Sequence, residues 1–103
     1  MTHFNRLKAA EHERLSLLLG ECAEAIAIVG KILRHGYEST NPTLPLDEQR
    51  TNRSLLTQEI GDVLHAIDRL TSSCDLDADA INNARANKRD SVVRWMHHDR
   101  RAL

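Results

Sequence analysis

Leu17-Leu18-Leu19-Gly20-Glu21-Cys22-Ala23-Glu24-Ala25-Ile26-Ala27-Ile28-Val29 is an apolar run that carries two carboxylates three residues apart. Further along, Leu55-Leu56-Thr57-Gln58-Glu59-Ile60-Gly61-Asp62-Val63-Leu64 repeats the device. Both runs read as helices. At about 100° per residue with Glu21 at zero, Leu17, Ile28, Ile32, Ala25, Leu18, Val29, Cys22, Leu33 and Ile26 fill an arc from about 320° through 0° to about 140°. Glu21 lies inside that arc and Glu24 at its edge. Setting Glu59 to zero gives the same picture for Leu55, Leu70, Val63, Leu56, Ile67, Ile60 and Leu64, with Glu59 inside and Asp62 at the edge. Two helices therefore aim four carboxylates at one interior.

Such a gathering needs compensation. The four charges repel one another, and each loses hydration on leaving water. Either several of the acids hold protons or a multivalent cation sits among them. Four oxygen ligands without His or Cys select a hard ion, Mg²⁺, with Mn²⁺ as a substitute. A di-iron oxidase bundle is disfavoured, because its Glu-x-x-His ligand pairs do not occur beside these acids.

Working outward, the first helix is expected from about Asn5, as N-cap, to His35, with Gly36 as the stop. The segment Tyr37 to Leu46 holds both prolines and reads as a loop and candidate lid. A second helix is expected from about Asp47 to Ser72, then a connector with Asp77 as N-cap, then a third helix from about Ala78 to His98. No strand-like alternation appears. The fold class is all-α, a single domain over residues 1–103 with three main helices. Apolar arcs of about half a turn cannot all be covered within so short a chain. The bundle is therefore expected to be completed by oligomerisation, as a homodimer or homotetramer.

Composition narrows the partners. With 14 Lys and Arg against 15 Asp and Glu, the net charge of −1 offers no global field for a nucleic acid polymer or an anionic membrane. Three aromatic residues, Phe4, Tyr37 and Trp95, are too few for a base-stacking platform. Cys22 and Cys74 make no disulfide framework and read as free thiols. No segment has the apolar length of a signal peptide or a membrane span, so the expectation is cytoplasmic.

Beyond the acids, Lys31 and His35 share the column of Glu24, and Asn52 shares that of Glu59. In an antiparallel hairpin they lie roughly 10 to 16 Å along the axis from the acids, the reach of a nucleotide whose phosphates touch the metal. Lys31 and His35 also suit the negative end of a helix, and Asn52 also suits a cap. In the third helix, Lys88 interrupts the stripe of Ile81, Ala84, Val92 and Trp95 and reads as a phosphate clamp, although a lysine there can also snorkel to solvent. Trp95 reads as core, His97 and His98 as an exposed tail, and Asn83, Arg85, Asn87 and Arg89 as surface.

Four stretches in order carry a resemblance: Glu21-x-x-Glu24; Lys31-Ile32-Leu33-Arg34-His35-Gly36; Asn52-Arg53-x-Leu55-Leu56-x-x-Glu59-Ile60-Gly61-Asp62-Val63; and Lys88 followed by Arg94-Trp95-Met96-His97-His98. From about Arg14 to His98 the chain resembles the MazG-like branch of the all-α nucleoside triphosphate pyrophosphohydrolases. The resemblance implies that Glu21, Glu24, Glu59 and Asp62 are Mg²⁺ ligands and catalytic residues. It also implies that Lys88 contacts phosphate and that the reaction releases pyrophosphate and a monophosphate. Two departures stand out: Gly20 replaces an acid the family often has before the first pair, and the segment between the pairs is longer than in compact members. A non-catalytic metal- or nucleotide-binding regulatory module is the competing expectation.

Overall fold

The computed structural model describes residues 4–101 and 103. Three α-helices, α1 (Ala9–His35), α2 (Asn52–Ser72) and α3 (Ala78–Val92), and a 3-10 turn at Leu46–Glu48 make up its regular structure; no strand occurs among the described residues. The chain packs as two compact units, Met1–Leu70 and Thr71–Leu103.

In the first unit α1 begins at Ala9 rather than near Asn5. The Asn5 side chain accepts from the Leu7 N–H at 3.0 Å, and Arg6 adopts a left-handed φ of 61°, so Asn5 closes a local turn instead of capping the helix. Three residues into the first turn, Glu11 accepts from the Lys8 N–H at 2.9 Å and supplies the cap. At the other end Gly36 takes a φ of 91°, which a side chain would oppose, while its N–H bonds the Ile32 carbonyl at 2.7 Å.

The loop then folds back on α2. Asn52 and Arg53 donate their N–H groups to the carbonyls of Ser39 and Tyr37 at 2.9 and 2.8 Å, and the Asn52 amide donates to the Gly36 carbonyl at 3.2 Å. The start of α2 is thereby pinned to the end of α1, and the two helices form an antiparallel hairpin. α2 starts at Asn52, later than the expected Asp47, because the backbone leaves helix at Gln49 and Thr51 caps the new start, its hydroxyl accepting from the Ser54 N–H at 3.1 Å. The loop is tied down by its own side chains. Asn41 accepts from the Thr43 N–H and hydroxyl at 3.0 and 2.7 Å, and Gln49 bridges Thr40 and the Leu44 carbonyl at 3.1 and 2.9 Å. Arg53 lies 4.3 Å over the Tyr37 ring and pairs with Glu38 at 2.7 Å.

The core of the hairpin is thin. Ala66 and Leu70 are the fully buried apolar side chains among the described residues, and Asn52 is the buried polar one. With Leu15 at zero on the helical wheel, Leu19, Cys22, Ile26, Val29 and Leu33 all fall within about 40° of it. This stripe is open to solvent, with Leu19 73%, Ile26 70% and Leu33 83% exposed. Ile60 and Leu64 of α2 are likewise exposed.

In the second unit Asp77 caps α3 as expected, accepting from the Asp79 and Ala80 N–H groups at 2.9 and 3.3 Å. α3 stops at Val92, short of the expected His98. The Ser91 hydroxyl turns back to the Lys88 carbonyl at 3.3 Å, and Arg94 and Trp95 make tighter turns to Ser91 and Val92. Trp95 lies past that stop and is 79% exposed, so it is not the core residue expected from helical spacing.

Candidate metal centre

Each acid pair spans one helical step of three residues, a rise of about 4.5 Å that stacks the two carboxyl groups on one side of their helix. The antiparallel hairpin brings the pair of α1 to the pair of α2. Glu21, Glu24, Glu59 and Asp62 each offer one carboxylate oxygen, and these four oxygens lie within 4.8 Å of one another. Burial matches the wheel at three of the four: Glu21 and Glu59, inside the apolar arcs, are partly buried and Glu24, at an arc edge, is exposed, whereas Asp62, also at an edge, is partly buried.

Two oxygens are stranded. Glu21 Oε2 and Glu59 Oε2 are shielded from solvent and have no hydrogen-bond partner. Loss of hydration raises the Glu21 carboxyl above its ordinary 4.5, and the charges of Glu24 and Asp62 push it the same way. Glu59 is raised by loss of hydration first, then by a hydrogen bond shared with Glu24 and by the charges of Glu24, Asp62 and Glu21. Glu21 and Glu59 therefore hold their protons to higher pH than ordinary carboxyls do. A divalent cation relieves the same repulsion and satisfies the stranded oxygens. Octahedral Mg²⁺ holds oxygens at about 2.1 Å, hence up to about 4.2 Å apart. The donor set, all carboxylate and nearly of that span, fits a hard cation.

The other expected residues divide into two groups. Lys31, His35 and Asn52 come together around a cavity of about 500 Å³ at the closed end of the hairpin, which the four acids do not line. Asn52 is only 7% exposed and spends its amide on Gly36, so it both builds the hairpin and lines the cavity. Lys88 belongs to α3 in the second unit, where its side chain is exposed. Asn83, Arg85, Asn87, Arg89, His97 and His98 are exposed as expected.

Of the residues that line this cavity, Arg34, Ser39, Thr40, Asn41, Pro42 and Leu55 were not expected as binding residues, although Ser39 to Pro42 fall in the loop expected as a lid. A signal for Arg34 was present, since Lys31, Arg34 and His35 follow the i, i+3, i+4 spacing that collects side chains on one helix face. For the loop the prolines marked a lid but not which side chains face the cavity, because N–H groups of α2 bonded to the Ser39 and Tyr37 carbonyls place them.

No protein-family model matches the chain, and no curated protein or solved structure matches it significantly.

Proposed function

We propose that the chain is a Mg²⁺-dependent nucleotide pyrophosphohydrolase of the MazG-like all-α type, converting a (deoxy)nucleoside triphosphate and water to the monophosphate and pyrophosphate. One observation carries the reading: four carboxylate oxygens from two helices converge within 4.8 Å, two of the acids having a solvent-shielded oxygen that no donor satisfies. The motif resemblance from Arg14 to His98 supports it.

When bound, Mg²⁺, or Mn²⁺ in its place, supplies charge neutralisation at the phosphoryl oxygens and acidifies a water. Glu21, Glu24, Glu59 and Asp62 hold the ion, and Glu21 or Glu24 orients the attacking water and accepts its proton. The water oxygen bonds to the α-phosphorus as the bond from that phosphorus to the α,β-bridging oxygen breaks. Lys31, His35 and Asn52 bind the substrate from the hairpin end, and Lys88 is assigned to phosphate by the resemblance.

The working form is a homodimer or homotetramer whose bundle is completed between copies, a reading supported by the exposed stripe of α1. Its two free thiols suit the cytoplasm.

The test is pyrophosphate release from a panel of ribo- and deoxyribonucleoside triphosphates, with Mg²⁺ and with a chelator. Release requires Mg²⁺ and falls by at least about 10²-fold in Glu59→Gln, which removes one ligand charge while keeping the side chain's shape. Undiminished release from a folded Glu59→Gln protein sinks the proposal.

A further inference from the structure

The cavity at the closed end of the hairpin has a one-sided chemistry. Lys31, Arg34 and His35 line it, no carboxylate does, and no ion pair joins any of these three to an acid among the described residues. Its other polar groups are hydroxyls and amides, from Ser39, Thr40, Asn41 and Asn52. No Phe, Tyr or Trp lines it, and its one aromatic ring is the His35 imidazole. The flat groups here are the His35 imidazole and the Arg34 guanidinium, and both are also hydrogen-bond donors to an anion. An anion finds the Lys31 and Arg34 cations, the His35 imidazole, and neutral donors from the Ser39 hydroxyl and the Asn41 and Asn52 amides.

The frame is built before any ligand arrives. Asn52 is buried and held by the Gly36 carbonyl, and the loop is braced by Asn41 and Gln49. The first N–H groups of α2 are spent on Ser39, Tyr37 and Thr51, so the start of that helix is not itself an anion site. Lys31 stands seven residues beyond Glu24 on α1, about 10 Å along the axis, and side chains on a helix lean toward its N-terminus, here toward the acids. A polyphosphate anchored on a metal at the acids meets this cationic wall next along the hairpin.

We propose that the cavity seats the pyrophosphate end of the substrate, gripped by Lys31, Arg34 and His35, rather than its base. The proposal rests on the pyrophosphohydrolase reading and assigns Arg34 a binding role beside Lys31. It also places base recognition outside this cavity.

The experiment is a calorimetric titration of the full chain with inorganic pyrophosphate in chelator, separating anion binding from metal and from turnover. Pyrophosphate is expected to bind wild type, and Glu59→Gln no more weakly. Affinity falls about tenfold for each of Lys31→Ala and Arg34→Ala, the loss of one charge-assisted contact. Arg34→Lys retains most of the affinity, and Arg69→Ala, which removes the same charge elsewhere on the hairpin, retains all of it. Melting temperatures confirm that each variant is folded. Absence of pyrophosphate binding to wild type overturns the proposal, as does binding indifferent to Lys31 and Arg34, or displacement of pyrophosphate by an unphosphorylated nucleoside. Cavity binding without any Mg²⁺-dependent pyrophosphate release instead sinks the hydrolase reading and leaves the anion seat standing.

Discussion

In the proposed metal centre, protons and metal compete for Glu21 and Glu59, and that competition has a sign. Both carboxyls are raised above 4.5 in the folded chain, foremost by loss of hydration. Between that ordinary value and the raised one, the folded chain binds more protons than the unfolded chain, so stability falls as pH climbs through the window. The stabilisation is fully present below the unfolded value and is lost above the folded one. Metal-free protein should therefore melt at progressively lower temperature as pH rises from about 4.5 toward neutrality, with Glu59→Gln showing a shallower decline. Asp99, held below its ordinary 3.8 chiefly by Arg101, acts with the opposite sign, losing its contribution as pH falls. Subtracting the Glu59→Gln curve from wild type removes it. Mg²⁺ at pH 8, above the ordinary carboxyl range, should raise the melting temperature of wild type and not of the variant. A wild-type melting curve that rises across the same window, or one indifferent to Mg²⁺ at pH 8, would contradict the assigned coupling.

At the scale of the element, caps and breaks decide what each helix can present. Asp77 holds two N–H groups at the start of α3. Asp77→Ala should cost about 1 kcal/mol of helix stability, read as reduced amide-exchange protection in the first turn of α3 with the α1–α2 hairpin unchanged. Leu70→Ala strikes the hairpin instead. Leu70 is 1% exposed in a core of very few buried side chains, so its truncation should destabilise by about 2–5 kcal/mol in urea unfolding. Asp77 was legible in the sequence because a cap is a local event, an acid just before a helical run. The convergence of Glu21, Glu24, Glu59 and Asp62 was legible for a similar reason: i, i+3 spacing inside an apolar arc is a one-helix pattern, and only one hairpin was needed to join the two. The start of α1 was not, since Asn5 is as good a turn former as a cap and Glu11 settles the matter from within the helix. Nor was the cavity wall of Ser39, Thr40 and Asn41, which depends on carbonyls of a loop meeting N–H groups of α2. Trp95 misled by continuing the spacing of α3 past the Ser91 turn, where the helix no longer exists.

For the whole molecule, the balance of covered and uncovered apolar surface argues for a second copy. Leu15, Leu19, Cys22, Ile26, Val29 and Leu33 share one narrow stripe along α1, with three of them at least 70% exposed. The flanking face carries Ser16, Gly20, Ala23, Ala27 and Gly30, and a Cβ built on either glycine meets nothing within 4 Å. No charged residue interrupts the stripe or this flank between Glu13 and Arg34, a surface suited to close packing of two helices. The proposed assembly buries it against the same face of another chain. Ile26→Glu with Leu33→Glu would then place four carboxylates in each such interface, where every lost side chain was worth about 1.5–3 kcal/mol. Light scattering after size exclusion should give a dimer or tetramer for wild type and a monomer for the double variant at the same concentration, a rise in Kd of at least about 10²-fold. Because association stabilises only the folded chain, the melting temperature of wild type should climb with protein concentration and that of the variant should not. A wild-type chain that is monomeric at every concentration, with a single melting temperature, would leave the α1 stripe to some other occupant and remove the bundle between copies from the proposed enzyme.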